Sequence, residues 1–256
     1  MTEPRIFKDV GAFREWRRLQ TGDVGFVPTM GALHAGHAEL LTRAFRENNC
    51  SVLSIFVNPT QFNDPKDLAG YPRTWEADLA VARANGVDAI LAPDSSALYP
   101  DGYRYQVRET RDSAVLDGAH RPGHFDGVLS VVLKLLNLVN PHRAYFGEKD
   151  FQQLALVRGM VDAFFLETEI VPVATVREAD GLALSSRNLR LTPEERARAP
   201  LFARALREAQ SATEAAELLA QEGFGVDYVE DRGGRRYGAV RLGEVRLIDN
   251  LERKDS

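Results

Sequence analysis

The chain has 256 residues, of which 44% are hydrophobic, 27% charged and 9% aromatic, a composition typical of globular proteins and enough for one large domain or two moderate ones. Thirty-two basic against 37 acidic residues give a formal charge of -5, which removes any global electrostatic case for binding nucleic acid or an anionic membrane. The longest mainly apolar stretch, 128–139, is about half the roughly 20 residues that span a bilayer; Met1 to Val10 lacks the parts of a secretory signal, and the single cysteine, Cys50, excludes an internal disulfide framework. A cytoplasmic protein is expected, with Cys50 a small buried hydrophobe.

Val24 to Val27 is short and apolar between Gly22 and Pro28, and reads as a buried strand. A glycine-bearing turn follows. From Ala38 a helix is expected, with Leu40, Leu41, Ala44 and Phe45 on one face and Glu39, Arg43, Arg46 and Glu47 on the other. A second buried strand covers 51–57, and this order predicts a right-handed parallel crossover. The alternation continues with a helix over 74–85, a strand over 89–92, an apolar helix over 128–139, a strand over 143–146, a helix over 151–164 and a strand over 169–173. After about residue 175 the character changes. Thr192 as N-cap and Pro193 at the first helical position lead into a helix rich in Ala, Leu, Glu and Arg. Short strand-like runs over 226–248, separated by Gly233-Gly234 and Gly243, suggest a small antiparallel sheet or hairpin. The expected fold class is α/β, with a Rossmann-like parallel-sheet domain over 1–175 and a smaller C-terminal α+β domain over 176–256. Ligands of such sheets sit beyond the carboxyl ends of the strands, so the loops that follow strands hold the candidate chemistry.

The first of these loops is PTMGALHAGH, Pro28 to His37. Gly31 and Gly36 allow close backbone approach, the helix N-terminus supplies unpaired N–H groups, and His34 and His37 add imidazoles that can donate to phosphoryl oxygens. By itself a His-x-x-His pair also suits a metal or two ordinary polar positions; its place in a crossover turn favours a phosphate chain. Lys149 in FGEKD stands between a strand and a helix, where an ammonium can reach phosphate, although a surface pair with Glu148 or Asp150 has the same spacing. The run LSSRN, Leu184 to Asn188, offers hydroxyls, amides and a guanidinium to a triphosphate, or else a turn and cap. Gln61 and Gln153 donate and accept hydrogen bonds without adding charge, which suits a hydroxy acid, though either also fits an exposed amide. Asp78 in YPRTWEAD is the best acidic candidate for a magnesium contact through phosphates or water, with a solvated helix residue as the alternative.

The histidine loop resembles the His-x-Gly-His signature of the nucleotidyltransferase superfamily. Together with FVNPTQF at 56–62, YPRTWEADL at 71–79, YFGEKDFQQ at 145–153, READGLALSSRN at 177–188 and RLIDN at 246–250, it makes nearly the whole chain resemble the pantothenate synthetase family of pantoate:beta-alanine ligases. Leu184 and Thr60 depart from it, each standing where Met is common, and the C-terminal part is somewhat short for the family. The resemblance implies an ATP-dependent ligase of coenzyme A precursor biosynthesis. It joins pantoate to beta-alanine through pantoyl adenylate and releases pyrophosphate and AMP, with Mg2+ accompanying ATP, in a homodimer whose small domain closes as a lid.

The same resemblance implies catalytic roles for His34, His37 and Lys149. ATP contacts would come from Met30, Gly31, Ala32, Leu33, His34, Ala35, Gly36 and His37, from Gly147, Glu148, Lys149 and Asp150, and from Val176, Leu184, Ser185, Ser186 and Arg187. Pantoate would meet Gln61 and Gln153, and beta-alanine Gln61. Asn58 and His124 resemble further lining residues, while Phe62 and the 128–132 face would pack on pantoate's geminal methyl groups. A nucleotidylyltransferase acting on a phosphorylated alcohol would share His34 and His37 but need neither glutamine. A class I tRNA synthetase would need an RNA-binding part that is not evident. A nucleotide-binding regulator without catalysis would not need His37, Lys149, Ser185, Ser186 and Arg187 together.

Overall fold

A six-stranded parallel sheet organises most of the computed structural model, which describes residues 3–253; the outer ends of the two expected domain ranges, 1–2 and 254–256, lie outside them. In chain order the first elements are β1 (Arg5–Phe7), α1 (Val10–Arg18), β2 (Val24–Thr29), α2 (Ala35–Glu47), β3 (Cys50–Ile55), α3 (Pro65–Ala69), α4 (Trp75–Ala84) and β4 (Ala89–Leu91). They are followed by α5 (Ser95–Leu98), α6 (Asp117–His120), α7 (His124–Val139), β5 (Arg143–Gly147), α8 (Phe151–Ala163) and β6 (Glu169–Val173). The C-terminal part holds α9 (Pro193–Arg198), α10 (Pro200–Glu208), α11 (Ala212–Gln221), β7 (Gly225–Arg232), β8 (Arg235–Leu242) and β9 (Val245–Glu252).

The strand order is β1-β4-β3-β2-β5-β6. From β2 the chain winds outward through β3 to β4, then returns to lay β5 on the other side of β2, so the order reverses between β2 and β5 and opens a crevice at their carboxyl ends. The strands read as apolar runs because both faces are covered. Alternate residues separate the two cores: Phe26, Val52 and Ala144 meet α1, α7 and α8, while Val27, Leu53 and Tyr145 meet α2 and α4. Helix α7 carries apolar side chains on nearly all sides because it is buried on nearly all sides. Cys50 is buried in the first core, which pushes its thiol up to about 11.

The C-terminal part has its own core, where Phe202, Leu206 and Leu219 of the helices pack on Val240, Leu242 and Leu247 of the antiparallel β7-β8-β9 sheet. Its first helix begins as expected at Thr192. The Thr192 hydroxyl accepts from the Glu195 N–H at 3.2 Å, and the Glu195 carboxylate accepts from the Thr192 N–H at 2.8 Å. Between the two sheets, residues 176–184 fold back on themselves: Leu184 N–H donates to the Val176 carbonyl at 3.0 Å and Glu178 N–H to the Leu182 carbonyl at 2.8 Å. Among the described residues no helix is long and apolar enough to cross a membrane.

Several elements differ from the sequence expectation. Helix α2 starts at Ala35, three residues before the expected Ala38, because His34 serves as its N-cap. Helix α7 likewise begins a turn earlier, at His124. The edge strand β1 and helix α1 are not among the expected elements: β1 is only three residues long and one of them is Arg5, and the helix buries only Phe13 and Trp16.

Candidate functional site

A cleft of about 240 Å³ lies over the carboxyl ends of β2 and β5, where the strand order reverses. Of the residues named from sequence, it gathers Met30, His34, Gly36, His37, Gln61, Gly147, Lys149, Asp150, Gln153, Val176, Leu184, Ser185, Ser186 and Arg187. Asn58, His124 and Phe62 also line it. From the 128–132 face, Val128, Val131 and Val132 do so, the i, i+3 and i+4 positions of one helical side.

The histidine loop is held from below. Thr29 at the end of β2 donates its hydroxyl to the Ser54 carbonyl at 2.7 Å and accepts from the Gly31 N–H at 3.2 Å. Gly31 has φ +81°, and Ala32 follows at φ +52° in the left-handed region that costs a residue with a Cβ. The Ala32 and Leu33 N–H groups donate to the Asp78 carboxylate at 3.1 and 2.8 Å, and the Thr74 hydroxyl donates to it at 3.1 Å. Asp78 is only 2% exposed. Asp78, expected from sequence as a magnesium contact, thus has both oxygens accepting from the loop it braces and is not among the residues that line the cleft.

Gly31, Ala32 and Leu33, in the braced part of the loop, are not among the lining residues, and Ala35 is exposed at the first position of α2. Glu148 is also outside the lining; its carbonyl accepts from the Asn250 amide.

The two imidazoles sit with ring centroids 4.1 Å apart. His34 Nδ1 accepts from the Gly36 N–H at 3.1 Å, and His37 Nδ1 accepts from the His34 N–H at 3.3 Å. An accepting Nδ1 assigns the proton of each neutral ring to Nε2, leaving one N–H donor per ring for a ligand. Burial, with Lys149 nearby, lowers His34 to about 4, and burial with His34 and Lys149 lowers His37 to about 3. Both rings are therefore neutral donors near pH 7. Lys149 brings the ammonium, with Asp150 Oδ1 3.8 Å from it.

At the other end of the cleft the amides of Asn58 and Gln61 stand beside the Arg121 guanidinium, which donates to the Gln61 carbonyl at 3.4 Å. Asn58 accepts from the Tyr99 hydroxyl at 2.8 Å and donates to Gln61 Oε1 at 3.0 Å and to the Gly127 carbonyl at 3.2 Å. With its oxygen so used, Gln61 has its amide N–H groups left to offer. Gly127 permits this packing, since a Cβ there would come within 2.4 Å of the Thr60 carbonyl. Gln153 reaches in from the first turn of α8.

Arg121 was missed by the sequence reading although it lines the cleft and two adjoining hollows. It donates to His124 Nε2 at 3.0 Å, while His124 Nδ1 donates to the Gln61 carbonyl at 2.8 Å. Burial, with Arg187 nearby, lowers the Arg121 guanidinium to about 10. No acidic side chain bonds it, among the described residues, so the cleft holds a cation available to an anionic ligand. Its only sequence signal was the string HRPGH before an apolar helix. Tyr71, within a quoted block but given no role, also lines the cleft. Arg187 is not free in this state: it donates to Asp67 at 3.0 Å, and Arg190 donates to the other oxygen at 2.8 Å.

A Rossmann-like parallel sheet, with neutral imidazole donors and a lysine over its reversal point, defines an α/β enzyme class whose cleft suits a phosphorylated ligand. The chain belongs to the pantoate-beta-alanine ligase family, whose profile matches residues 5–252, and it is a ligase of pantothenate biosynthesis. It is 62% identical over 248 residues to the pantothenate synthetase of Bdellovibrio bacteriovorus, covering 97% of this chain and 99% of that one. It is 50% identical to that of Legionella pneumophila, covering 96% and 98%. Two solved structures share the fold. The pantothenate synthetase of Thermus thermophilus has a TM-score of 0.89 at 45% identity, covering 97% of this chain and 99% of that one. The pantoate-beta-alanine ligase of Francisella tularensis, complexed with beta-gamma ATP and beta-alanine, has a TM-score of 0.94 at 37% identity, covering 99% of both chains.

The two roles for Asp78 predict different magnesium dependence. Asp78→Asn, which loses one oxygen acceptor, should slow the enzyme by about tenfold or more, because small misplacements of reacting groups carry costs of that order. The loss should be the same at every magnesium concentration. A variant restored by excess magnesium would return Asp78 to a metal role.

The buried neutral histidines also set an acid limit. With folded values of about 4, 3 and 3 for His34, His37 and His124 against an unfolded value of about 6.5, the unfolded chain binds the protons first. Stability from these groups is complete above about pH 6.5 and is lost as pH falls toward 4. Denaturant unfolding of His37→Gln should show a shallower loss between pH 6.5 and 4 than the parent; an unchanged slope would contradict the assignment.

Proposed function

We propose that the chain makes pantothenate from pantoate, beta-alanine and ATP in two stages within this cleft, as a step toward coenzyme A precursors. A pantoate carboxylate oxygen attacks the α-phosphorus of ATP, the bond to the bridging oxygen breaks, and pyrophosphate leaves with its electron pair. The neutral amine of beta-alanine then attacks the acyl carbon of pantoyl adenylate, loses a proton and displaces AMP. The observation that carries this reading is the meeting, in one cleft, of phosphate-directed donors with a glutamine-lined end.

In the first stage the Nε2–H groups of His34 and His37 donate to phosphoryl oxygens, and Lys149 offsets the charge that moves onto pyrophosphate. Ser185, Ser186 and Arg187 complete the phosphate contacts, Arg187 exchanging Asp67 for the ligand, while Met30, Gly36, Gly147, Asp150, Val176 and Leu184 enclose the nucleotide. Val176 and Leu184 act as a pair across their backbone hydrogen bond. Gln61 and Gln153 hold the hydroxyl and carboxylate oxygens of pantoate, and Phe62 with Val128, Val131 and Val132 receives the geminal methyl groups. Gln61 also meets beta-alanine. No nucleophilic side chain is required, so the protein's contribution is placement and charge stabilisation. The beta-gamma ATP and beta-alanine in the Francisella structure support this choice of substrates.

Magnesium belongs to this scheme as part of the ATP substrate. Among the described residues no three His, Cys, Asp or Glu side chains form a metal cage, and the oxygens of Asp78 are committed elsewhere, so no resident metal is assigned. The reading further takes 1–175 as the nucleotide- and pantoate-binding domain and 176–256 as a lid, in a cytoplasmic homodimer.

The test is a mass-resolved product assay with ATP, magnesium, pantoate and beta-alanine, each omitted in turn. Pantothenate, AMP and pyrophosphate should appear together only in the complete mixture. Formation of ADP, or of a nucleotide-containing product without pantothenate, would overturn the proposal.

A further inference from the structure

The motif RLIDN at 246–250 has no side chain in the cleft of about 240 Å³, yet its last two residues hold both phosphate-directed segments. Asn250, 4% exposed at the end of β9, donates from Nδ2 to the Glu148 carbonyl at 2.9 Å and to the Lys149 carbonyl at 2.8 Å. Its Oδ1 accepts from Arg235 Nη1 at 2.6 Å, and Arg235 lies over the Phe151 ring at 3.9 Å from its centroid. Residues 148, 149 and 151 are thus gripped from one side by the C-terminal sheet. Because a trans peptide sets N–H opposite to C=O, drawing these two carbonyls toward Asn250 turns the N–H groups of Lys149 and Asp150 the other way, off that sheet.

Asp249 holds the second segment. Its carboxylate, also 4% exposed, accepts from Arg177 Nη1 at 2.6 Å and Nη2 at 2.9 Å in a two-pronged pair. Arg177 Nη1 donates in addition to the Gly181 carbonyl at 3.1 Å, which fixes the folded-back stretch that presents Val176 and Leu184 to Ser186. The two grips are joined, since the Asn250 N–H donates to Asp249 Oδ1 at 2.8 Å. Both N–H donors of the Asn250 side chain are engaged and its oxygen accepts from Arg235, an arrangement that fixes its geometry.

We infer that Asp249 and Asn250 are positioning residues for adenylate formation, which set the FGEKD and LSSRN segments in register with one another. Asn250 acts through Lys149, so the inference rests on the proposed role of Lys149 in charge stabilisation. Neither residue touches substrate. A consequence for the lid is that the Lys149 loop moves with the C-terminal sheet rather than staying with β5.

A double-mutant cycle on the full-length protein tests this, using pantoate-dependent exchange of labelled pyrophosphate into ATP for the first stage and aminolysis of supplied pantoyl adenylate for the second. Asn250→Ala should slow the first stage by about tenfold or more and leave the second within about twofold, since charge on pyrophosphate develops only in the first. In a Lys149→Ala background the same change should cost less than about twofold. Should Asn250→Ala fail to fold, Asn250→Asp, nearly the same shape and able to keep the Arg235 contact, enters the same cycle. Equal losses in both stages, or an undiminished loss in the Lys149→Ala background, would overturn the inference. A Lys149→Ala enzyme with the parent's exchange rate would instead remove the role of Lys149 itself.

Discussion

Two backbone N–H groups, those of Ala32 and Leu33, turn away from both the strand they follow and the helix they precede, and the structure of the cleft depends on how they are satisfied. An unpaired buried donor costs about 1–3 kcal/mol, and Ala32 also stands at φ +52°. The Asp78 carboxylate meets both N–H groups and receives the Thr74 hydroxyl as well. With the loop pinned, His34 can cap α2, its own N–H can reach His37 Nδ1, and each ring is left with Nε2–H as a free donor. A carboxylate one layer removed from the cleft thereby determines the tautomers of two imidazoles within it.

The strand order supplies the second element of the design. Reversal between β2 and β5 puts the histidine loop and the Lys149 loop on the two sides of one crevice, so donors distant in sequence face a common ligand. Buried α7 forms the floor beneath the other end, where Asn58 fixes the Gln61 amide and Gly127 lets the helix press against the turn. Cations thus stand at both ends: Lys149 beside the histidine loop, and Arg121 beside Gln61 and His124 among the neutral amides and valines.

What sequence could show depended on whether the physics was local. The apolar runs of β2 and β6, the Thr192 capping box and the helix over 151–164 depend on neighbouring residues, and they were legible. The family resemblance added cleft residues that no spacing rule identifies: Gln61 and Gln153 lie 92 positions apart and meet only through the fold. Asp78 shows the limit. A carboxylate accepts equally well from a hydrated cation and from a backbone N–H, and only the tertiary contact tells which. The same holds for Asn250, visible as the end of a motif but without a partner until β9 lies against residues 148 and 149. Arg121 belongs to no local motif, and only the fold brings it against Gln61 and into the cleft.

The central claim is that an acyl adenylate lies between the substrates and the amide. If a pantoate carboxylate oxygen attacks the α-phosphorus, that oxygen remains on phosphorus when the amine displaces AMP. The decisive measurement is one turnover with oxygen-18 in the pantoate carboxylate, followed by mass spectrometry of the separated AMP, pyrophosphate and pantothenate. One labelled oxygen in AMP, and none in pyrophosphate, is the expected result; unlabelled AMP formed alongside pantothenate would contradict the adenylate route.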